Sequence, residues 1–460
     1  MNKIRLPLLI SLSLVIFLSF ASRSGDEGNK EVRRSGLSDE LYVATDLHYL
    51  SPELQDGGQA FQSFVKSGDS KLLYYSDELV NAWVSQIVQA KPGAVILSGD
   101  LTNNGEKISH QTLAKKLREI EDSGVPVYVI PGNHDILNPW ARSFKGNRQL
   151  RTDYITPKEF ESIYGDFGYN EAMSRDRNSL SYTTKLSDHL WLLMLDTSKY
   201  KRNLEVGFPE TDGEISGATL EWISVQTAKA EQSGAEVIAV MHHNLMDHSE
   251  FSTQYFTLNN HEEVQKVLTG ANIHLVLSGH IHIQDIRYRN GIYDISTSAF
   301  EVYPHQFGVV RYDPQHSALD YHTEPVDVEA WAERTKSVNP DLLDFRTYAE
   351  SFFRDTSYQK AYTALESQGY TDAERQSMAQ AMAELNLHYF AGTTNHMDPA
   401  ILNSKGMQLW KDAKDQFLKS YVLSMTRSSK ENNQLILSLP ADKQSGAESN
   451  RGSGAEPGDE

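Results

Sequence analysis

Cysteine is missing from all 460 residues. Its absence excludes disulfides, cysteine-based zinc ribbons, thiol nucleophiles and iron–sulfur clusters together, so any chemistry must rest on His, Asp, Glu, Asn or hydroxyl groups. A chain without thiols also folds without redox assistance, which suits export. Positive charge is scarce: 43 Lys and Arg stand against 62 Asp and Glu, a net charge of −19. That balance argues against nucleic-acid binding, whose non-specific affinity comes from Lys and Arg displacing counterions along the phosphate backbone. Outside the N-terminus there is no apolar run of the length, about 18 residues, that marks a membrane span. A hydrophobic fraction of 39% with 10% aromatics nevertheless rules out a wholly disordered chain, and the length suits two or three domains.

The two ends differ from the rest. Residues 1–22 read as a secretory signal: Lys3 and Arg5 form a positive start, 6–21 an uncharged apolar core, and Ser19, Phe20 and Ala21 supply small residues at the cleavage spacing. Export to the cell envelope or the exterior is expected. An uncleaved membrane anchor is the alternative, although 16 uncharged residues with three serines are short for a span of about 20. Residues 23–39 read as a polar linker. Residues 441–460 lack any large apolar side chain and are rich in Gly, Ser and Glu; burying so little cannot offset the entropy of ordering, so a disordered acidic tail is expected.

Between the ends, apolar runs at 41–45, 94–98, 127–130, 190–195, 237–241 and 273–278 read as strands, and 77–89, 109–122, 217–232 and 261–268 as helices. The alternation predicts an α/β layered core over 40–325, with strands buried on both faces and an antiparallel edge from 292–296 and 307–312. Beyond 326 the spacing turns helical. Thr371 and Glu374 form a capping box ahead of Met378, Met382, Leu385 and Tyr389, Gly392 is a C-cap candidate, and Met407, Trp410, Phe417 and Tyr421 continue the stripe. Residues 326–440 therefore read as an all-α C-terminal domain, its Met and aromatic stripes serving as core.

Chemistry is signalled by where His and Asp stand relative to the strands. Asp46-Leu47-His48 follows the first strand, Gly99-Asp100 the second and Gly132-Asn133-His134-Asp135 the third; His242-His243 and Gly279-His280-Ile281-His282 follow two later ones. Ligands of open α/β sheets gather beyond the carboxyl ends of strands, so these clusters should converge. Each is weak alone, since Asp-x-His and Gly-Asp are commonplace; the order of all five carries the signal. Asp46, His48, Asp100, Asn133, His242, His280 and His282 give seven nitrogen and oxygen donors, more than a single tetrahedral site holds, and sharing Asp100 divides them into two sites. Two cations about 3.5–4 Å apart clamp a phosphate ester and make a bound water nucleophilic near neutral pH. Alternation along a strand end would aim Asp46 with His48 and His280 with His282, while Gly99, Gly132 and Gly279 would let the backbone turn sharply.

In that order the motifs resemble the calcineurin-like metallophosphoesterases over about residues 40–325. The resemblance implies a four-layer sandwich, two mixed β-sheets flanked by helices. It also implies Asp46, His48 and His282 on one metal, Asn133, His242 and His280 on the other, and Asp100 bridging, with manganese, iron or zinc as the ions. It places His134 at the substrate as a transition-state stabiliser or acid, and Asp135 is expected to orient that imidazole. The short form Gly99-Asp100-Leu101-Thr102-Asn103 with Gly-Asn-His-Asp is similar to the class III cyclic-nucleotide phosphodiesterases, and an export signal with a helical C-terminal domain resembles secreted bacterial members. The implied function is hydrolysis of cAMP-like 3′,5′-cyclic nucleotides through a bridging hydroxide. The alternatives are a nucleotidase or other phosphomonoesterase, a linear-diester phosphodiesterase, and a non-catalytic metal-binding surface protein. Asn103 is a candidate phosphate contact or simply a turn residue; His248 and His305 are candidate substrate contacts. His243 is expected to pack behind His242, with a swap of the two left open. Tyr389 and 393–396 are candidates for a lid. Oligomeric state is open.

Overall fold

The computed structural model of the chain describes residues 38–250, 254–316, 318–427 and 431–438. The expected signal, nearly all of the linker and the acidic tail fall outside the described residues. Among the described residues no helix is long and apolar enough to cross a membrane.

Two mixed sheets carry the fold. In the first, β1 (Glu40–Ala44), β2 (Ala94–Leu97) and β3 (Val127–Val129) run parallel, and a small hairpin of β4 (Arg142–Lys145) and β5 (Arg148–Arg151) branches off after them. The second holds β6 (Ser174–Arg175), β7 (Tyr182–Ser187), β8 (Leu190–Leu195), β9 (Glu236–Met241), β10 (Leu275–Ser278), β11 (Asp285–Arg289) and β12 (Ile292–Ser296), in the order β11-β12-β10-β9-β8-β7-β6. The chain then returns to the first sheet as β13 (Gln306–Asp313) and β14 (Ala318–Pro325), antiparallel beside β1. The antiparallel edge expected late in the sequence is therefore split. The strand at 292–296 is parallel to β10 on one side and antiparallel to the edge strand β11 on the other, while 307–312 belongs to the antiparallel meander of the first sheet.

Strand periodicity shows the layering. Leu190, Leu192, Met194, Ile238, Val240, Leu275 and Leu277 join the core shared with the first sheet, while the alternating Leu193, Leu195, Ala239, Met241 and Val276 join a second core. Helices Ser76–Ala90 and Lys107–Asp122 pack into the first core through Leu79, Trp83, Ile87, Leu113 and Leu117; helices Gly217–Gln232 and His261–Gly270 pack into the second through Ile223, Val264 and Leu268. The result is helices, sheet, sheet, helices, with strands buried on both faces as their unbroken apolar runs require.

The C-terminal region is largely helical but not wholly so. Helix Phe345–Ala364 pairs with helix Asp372–Ala391, which opens on the Thr371/Glu374 capping box and ends at Gly392 with φ of 71°. Met378, Leu385, Met407 and Trp410 are buried together, and the Trp410 indole donates to the Met378 carbonyl at 2.8 Å. Phe417 departs from the expected stripe and is 64% exposed. It sits in the first turn of helix Gln416–Ser424, whose buried contributions come from Val422 and, just beyond it, Met425. Leu342, Phe345 and Ala349 join the main core, and β15 (Gln434–Ser438) returns to pair with β14. A purely α region over 326–440 is thus corrected: it is stitched to the first sheet at both its start and its end.

Candidate metal centre

The seven expected donors meet where strands of both sheets end. His48 Nε2 lies 3.1 Å from His282 Nε2 and 3.7 Å from Asp46 Oδ1, and His282 Nε2 lies 3.3 Å from that same oxygen. On the other side His242 Nε2 lies 3.1 Å from Asn133 Oδ1 and 3.4 Å from Asp100 Oδ2, and His280 joins Asp100 and His242 in a group whose donor atoms all lie within 4.8 Å. Asp100 Oδ2 is also 3.8 Å from His48 Nε2, so one oxygen faces both groups. His280 and His282, two residues apart, straddle them.

Local bonds set which atom each donor presents. A carbonyl only accepts, so His242 donates from Nδ1 to Ser98 O at 3.0 Å and presents the Nε2 lone pair, while His280 donates from Nε2 to Tyr255 O at 3.0 Å and presents Nδ1. The Thr45 hydroxyl and the His280 N–H both donate to Asp46 Oδ2, at 2.8 and 2.9 Å, leaving the buried Oδ1 without a hydrogen bond of good geometry. Burial opposes ionisation of Asp46 and Asp100, yet His282 and His242 hold Asp46 below the usual carboxylate range, and His242 and His134 hold Asp100 well below it. Burial likewise opposes charge on His242, and Asp100 overrides it, pushing its pKa up to about 9. Two buried ionised carboxylates in one cluster demand positive charge, and an imidazole, carboxylate and amide donor set fits divalent cations.

The ligand turns are not extended strand. β1 ends at Ala44 and β10 at Ser278, and beyond them Asp46, His48, His280 and His282 adopt φ of 51°, 41°, 68° and 66°, as does Asp100 after β2 at 49°. Left-handed turns, rather than strand alternation, aim these side chains. Gly99 turns at φ of 101° as expected. Gly132 and Gly279 serve close approach instead, since a Cβ would fall 2.2 Å from the Asp100 amide at the first and 2.0 Å from Thr45 Oγ1 at the second.

His134 stands at the edge of this cluster. Its N–H donates to Asp100 Oδ1 at 2.8 Å and its Nδ1 to Asn103 O at 2.7 Å, leaving Nε2 4.0 Å from Asp100 Oδ2. Burial holds the imidazole pKa below its ordinary value. The ring borders a cavity of about 390 Å³ with Asn103, Lys71, Phe64, Trp140 and Arg142 among its walls. Asn103 Nδ2 is buried there without a hydrogen-bond partner.

A family model described as calcineurin-like phosphoesterase matches residues 41–284, more than half of the chain. The chain belongs to the calcineurin-like phosphoesterase family. A second family model, described as the C-terminal domain of cyclic nucleotide phosphodiesterase, matches residues 327–432. Among curated proteins, one named probable cyclic nucleotide phosphodiesterase from Psychrobacter arcticus is 26% identical over 204 residues, covering 44% of this chain and 61% of that protein. A similarly named protein from Fibrobacter succinogenes is 26% identical over 191 residues, covering 41% and 57%. The chain thus spans about three fifths of the length of the curated relatives it matches. The family uses divalent metals, in keeping with the donor groups around Asp46, Asp100 and His242.

Within this calcineurin-like phosphoesterase, several expected roles need correction. Asp135 does not touch the His134 ring. It accepts from the N–H groups of Gly132, Leu101 and Thr102 and from the Thr102 hydroxyl, at 2.8 to 3.1 Å, and so joins the loop carrying Asp100 to the loop carrying Asn133. His134 is oriented by the Asn103 carbonyl instead. His248 is buried away from the cavity beside His134 and lines a separate one of about 620 Å³ with Asp285 and Tyr389, its Nδ1 3.0 Å from Asp285 Oδ2 and its Nε2 3.1 Å from Asp294 Oδ2. His305 is buried too, donating from Nδ1 to Phe300 O at 3.0 Å with its ring against Phe345, and burial pushes its pKa down to about 4. Both histidines stand in polar, loop-like stretches, and only the tertiary packing shows what covers them. His243 bonds Thr197 Oγ1 and Thr211 O, at 2.7 and 3.0 Å, so His242 and not His243 faces the donors. Tyr389 packs on Phe390 and Tyr421 rather than over the cavity, which residues 64–73 and Trp140 enclose. No motif in the sequence pointed to Lys71 or Trp140 in that wall.

Proposed function

We propose that this chain is a metal-dependent phosphodiesterase hydrolysing 3′,5′-cyclic nucleotides of the cAMP type with two divalent cations. The observation that carries the reading is a pair of donor groups sharing Asp100 Oδ2, in a chain whose C-terminal segment matches the cyclic nucleotide phosphodiesterase model. Asp46, His48 and His282 would hold one cation and Asn133, His242 and His280 the other. Bound there, the cations supply positive charge to the phosphate oxygens and lower the pKa of an attacking water.

The chain's own residues do the rest. His134 is tied at its backbone N–H to Asp100 and at Nδ1 to Asn103 O, so Nε2 is held toward the cavity to pass a proton to the departing alkoxide oxygen. Burial opposes the protonated ring and Asp100 favours it. Asn103 Nδ2 offers a donor to a phosphoryl oxygen. A cavity of about 390 Å³ falls in the range of small-ligand sites, and Phe64 and Trp140 give it an apolar wall for a base.

Purified protein loaded with manganese, iron or zinc and incubated with cAMP and with AMP tests the reading. Conversion of cAMP to AMP is expected. Phosphate release from AMP with cAMP untouched would establish the nucleotidase alternative, and bound metal with no turnover of either the non-catalytic one. Export, suggested by the pattern in 1–22, is part of the proposal and is tested by fractionating the native cells.

A further inference from the structure

We propose that Lys71 is the cationic anchor for the phosphate group of the substrate, supplied by the segment between β1 and β2 rather than by any of the metal-ligand motifs. The inference rests on the phosphoester reading above and names a recognition element for it.

Lys71 is only 9% exposed. Lysine is rarely buried to that degree, and where it is, the apolar stem is covered while the ammonium keeps contact with water. Among the described residues its ammonium makes no hydrogen bond and no ion pair within 4.0 Å. It lines the same cavity as His134 and Asn103. Asn103 Nδ2 is a second donor there, 2% exposed as a residue and likewise without a partner. Two unpartnered donors on one cavity wall, one cationic, beside a candidate metal cluster, are what an anionic oxygen ligand satisfies.

The lysine is held in place from both sides. Ser70, at φ of 66°, bonds through its hydroxyl to Thr356 Oγ1 at 2.9 Å and to Lys360 Nζ at 3.4 Å, both from helix Phe345–Ala364. Leu72 N–H donates to Glu301 O at 2.9 Å, and Glu301 N–H reaches back to Asp46 O at 3.4 Å. Contacts from the C-terminal helical region and from the Glu301 loop thus fix the chain on either side of Lys71 and set where its Cα stands at the cavity. Two acidic groups feel this ammonium. Asp69 is exposed at the cavity mouth, its carboxyl held below the usual range chiefly by Lys71, and Glu301 accepts from Ser76 Oγ at 3.3 Å. Neither comes within ion-pair distance of Lys71, so the cavity keeps the charge.

The test is calorimetric titration of inorganic phosphate into the full-length protein, with cations loaded and after chelation, for wild type, Lys71→Met and Lys71→Arg. Loss of one charge-assisted contact predicts phosphate affinity about ten- to a hundredfold weaker in Lys71→Met, most of it kept in Lys71→Arg, and metal content unchanged. Equal phosphate affinity in Lys71→Met and wild type, or no phosphate binding by the loaded wild type, would overturn the assignment. A measurement on the unmutated protein guards against a misfolded variant: phosphate should protect Lys71 from reductive methylation as read by mass spectrometry, and undiminished methylation counts against the proposal. Wild-type protein that binds phosphate through Lys71 but leaves cyclic nucleotides intact would remove the proposed substrate and leave this assignment standing. Turnover of cAMP with equal affinity in Lys71→Met would do the reverse.

Discussion

Replacing His248 by Gln tests whether this histidine holds the fold or the substrate. Its ring is buried between Asp285 Oδ2 at 3.0 Å and Asp294 Oδ2 at 3.1 Å. Burial opposes its charge, yet Asp294 and Asp285 override that and raise its pKa from 6.5 to about 9. A folded-state pKa above the unfolded one stabilises the native state fully below about pH 6.5, and the benefit fades as pH climbs through about 9. At about 1.4 kcal/mol per pH unit this amounts to roughly 3.5 kcal/mol as an upper figure. The neighbours limit the damage on removal. Asp294 Oδ2 also accepts from the Leu245 and Met246 N–H groups at 2.8 Å, and Arg287 bonds Asp285, so neither carboxylate is orphaned. Urea denaturation of wild type and His248→Gln should therefore differ by about 2–3 kcal/mol at pH 6 and by less than about 1 kcal/mol at pH 9.5, with metal content and KM unchanged. A difference in stability that does not shrink with rising pH, or a large rise in KM without loss of stability, would refute the reasoning.

Gly279→Ala places a Cβ 2.0 Å from Thr45 Oγ1 and 2.6 Å from Asp46 Oδ2; we expect elemental analysis to show metal loss while circular dichroism still reports a folded chain. His134→Ala should keep its metals and lose about 10²–10⁴-fold in kcat, since the ring is not one of the seven donors and meets them only through the 4.0 Å approach to Asp100 Oδ2 and an edge contact with the His48 ring. Asp135→Asn replaces an acceptor of four hydrogen bonds with a group that carries its own N–H donors. Its expected cost is about 1–3 kcal/mol of stability with weakened metal retention, and the pH optimum of the remaining activity should not move.

Much of the layered core was legible because buried strands and amphipathic helices leave periodic traces. The run at 190–195 divides its alternate residues between two cores, and the capping box at Thr371 with the stop at Gly392 bounds the C-terminal helix Asp372–Ala391. Less legible was everything that depends on contact between distant segments. Phe417 has the right spacing for a core stripe, but spacing does not reveal that its ring lies largely exposed while the neighbouring Leu418 packs on the core. β15 is a short apolar run at the end of a helical region, and nothing local says that β14 offers it an edge. His248 and His305 stand in polar company along the chain, so both read as substrate contacts beside His134. Their burial comes from Asp285, Asp294 and Phe345, which lie 37, 46 and 40 positions away.

The donors were found for a sound reason and aimed by a different one. Position after a strand located Asp46, His48, Asp100, His280 and His282, because strand ends of both sheets open on one crevice. The strand period does not aim them, since all five have left the strand and sit at positive φ. Such a conformation costs a non-glycine residue roughly 1–3 kcal/mol, so five together form a strained set that surrounding contacts must hold. Those contacts run from loop to loop. Asp46 N–H bonds Gly99 O at 3.0 Å, His48 N–H bonds Asp100 O at 2.9 Å, and Phe300 N–H bonds Thr45 O at 3.0 Å. Across the sheets, the His280 N–H bonds Asp46 Oδ2. Each ligand loop is thus the scaffold of another, and the donors converge as one unit. This explains why Gly132 and Gly279 tolerate no side chain: they are the points where one loop presses against its neighbour. It also explains why Asp135, expected to serve His134, serves the backbone. In a site built from turns in an unfavourable conformation, a buried carboxylate that collects four donors is needed more as a brace than as a partner for a single imidazole.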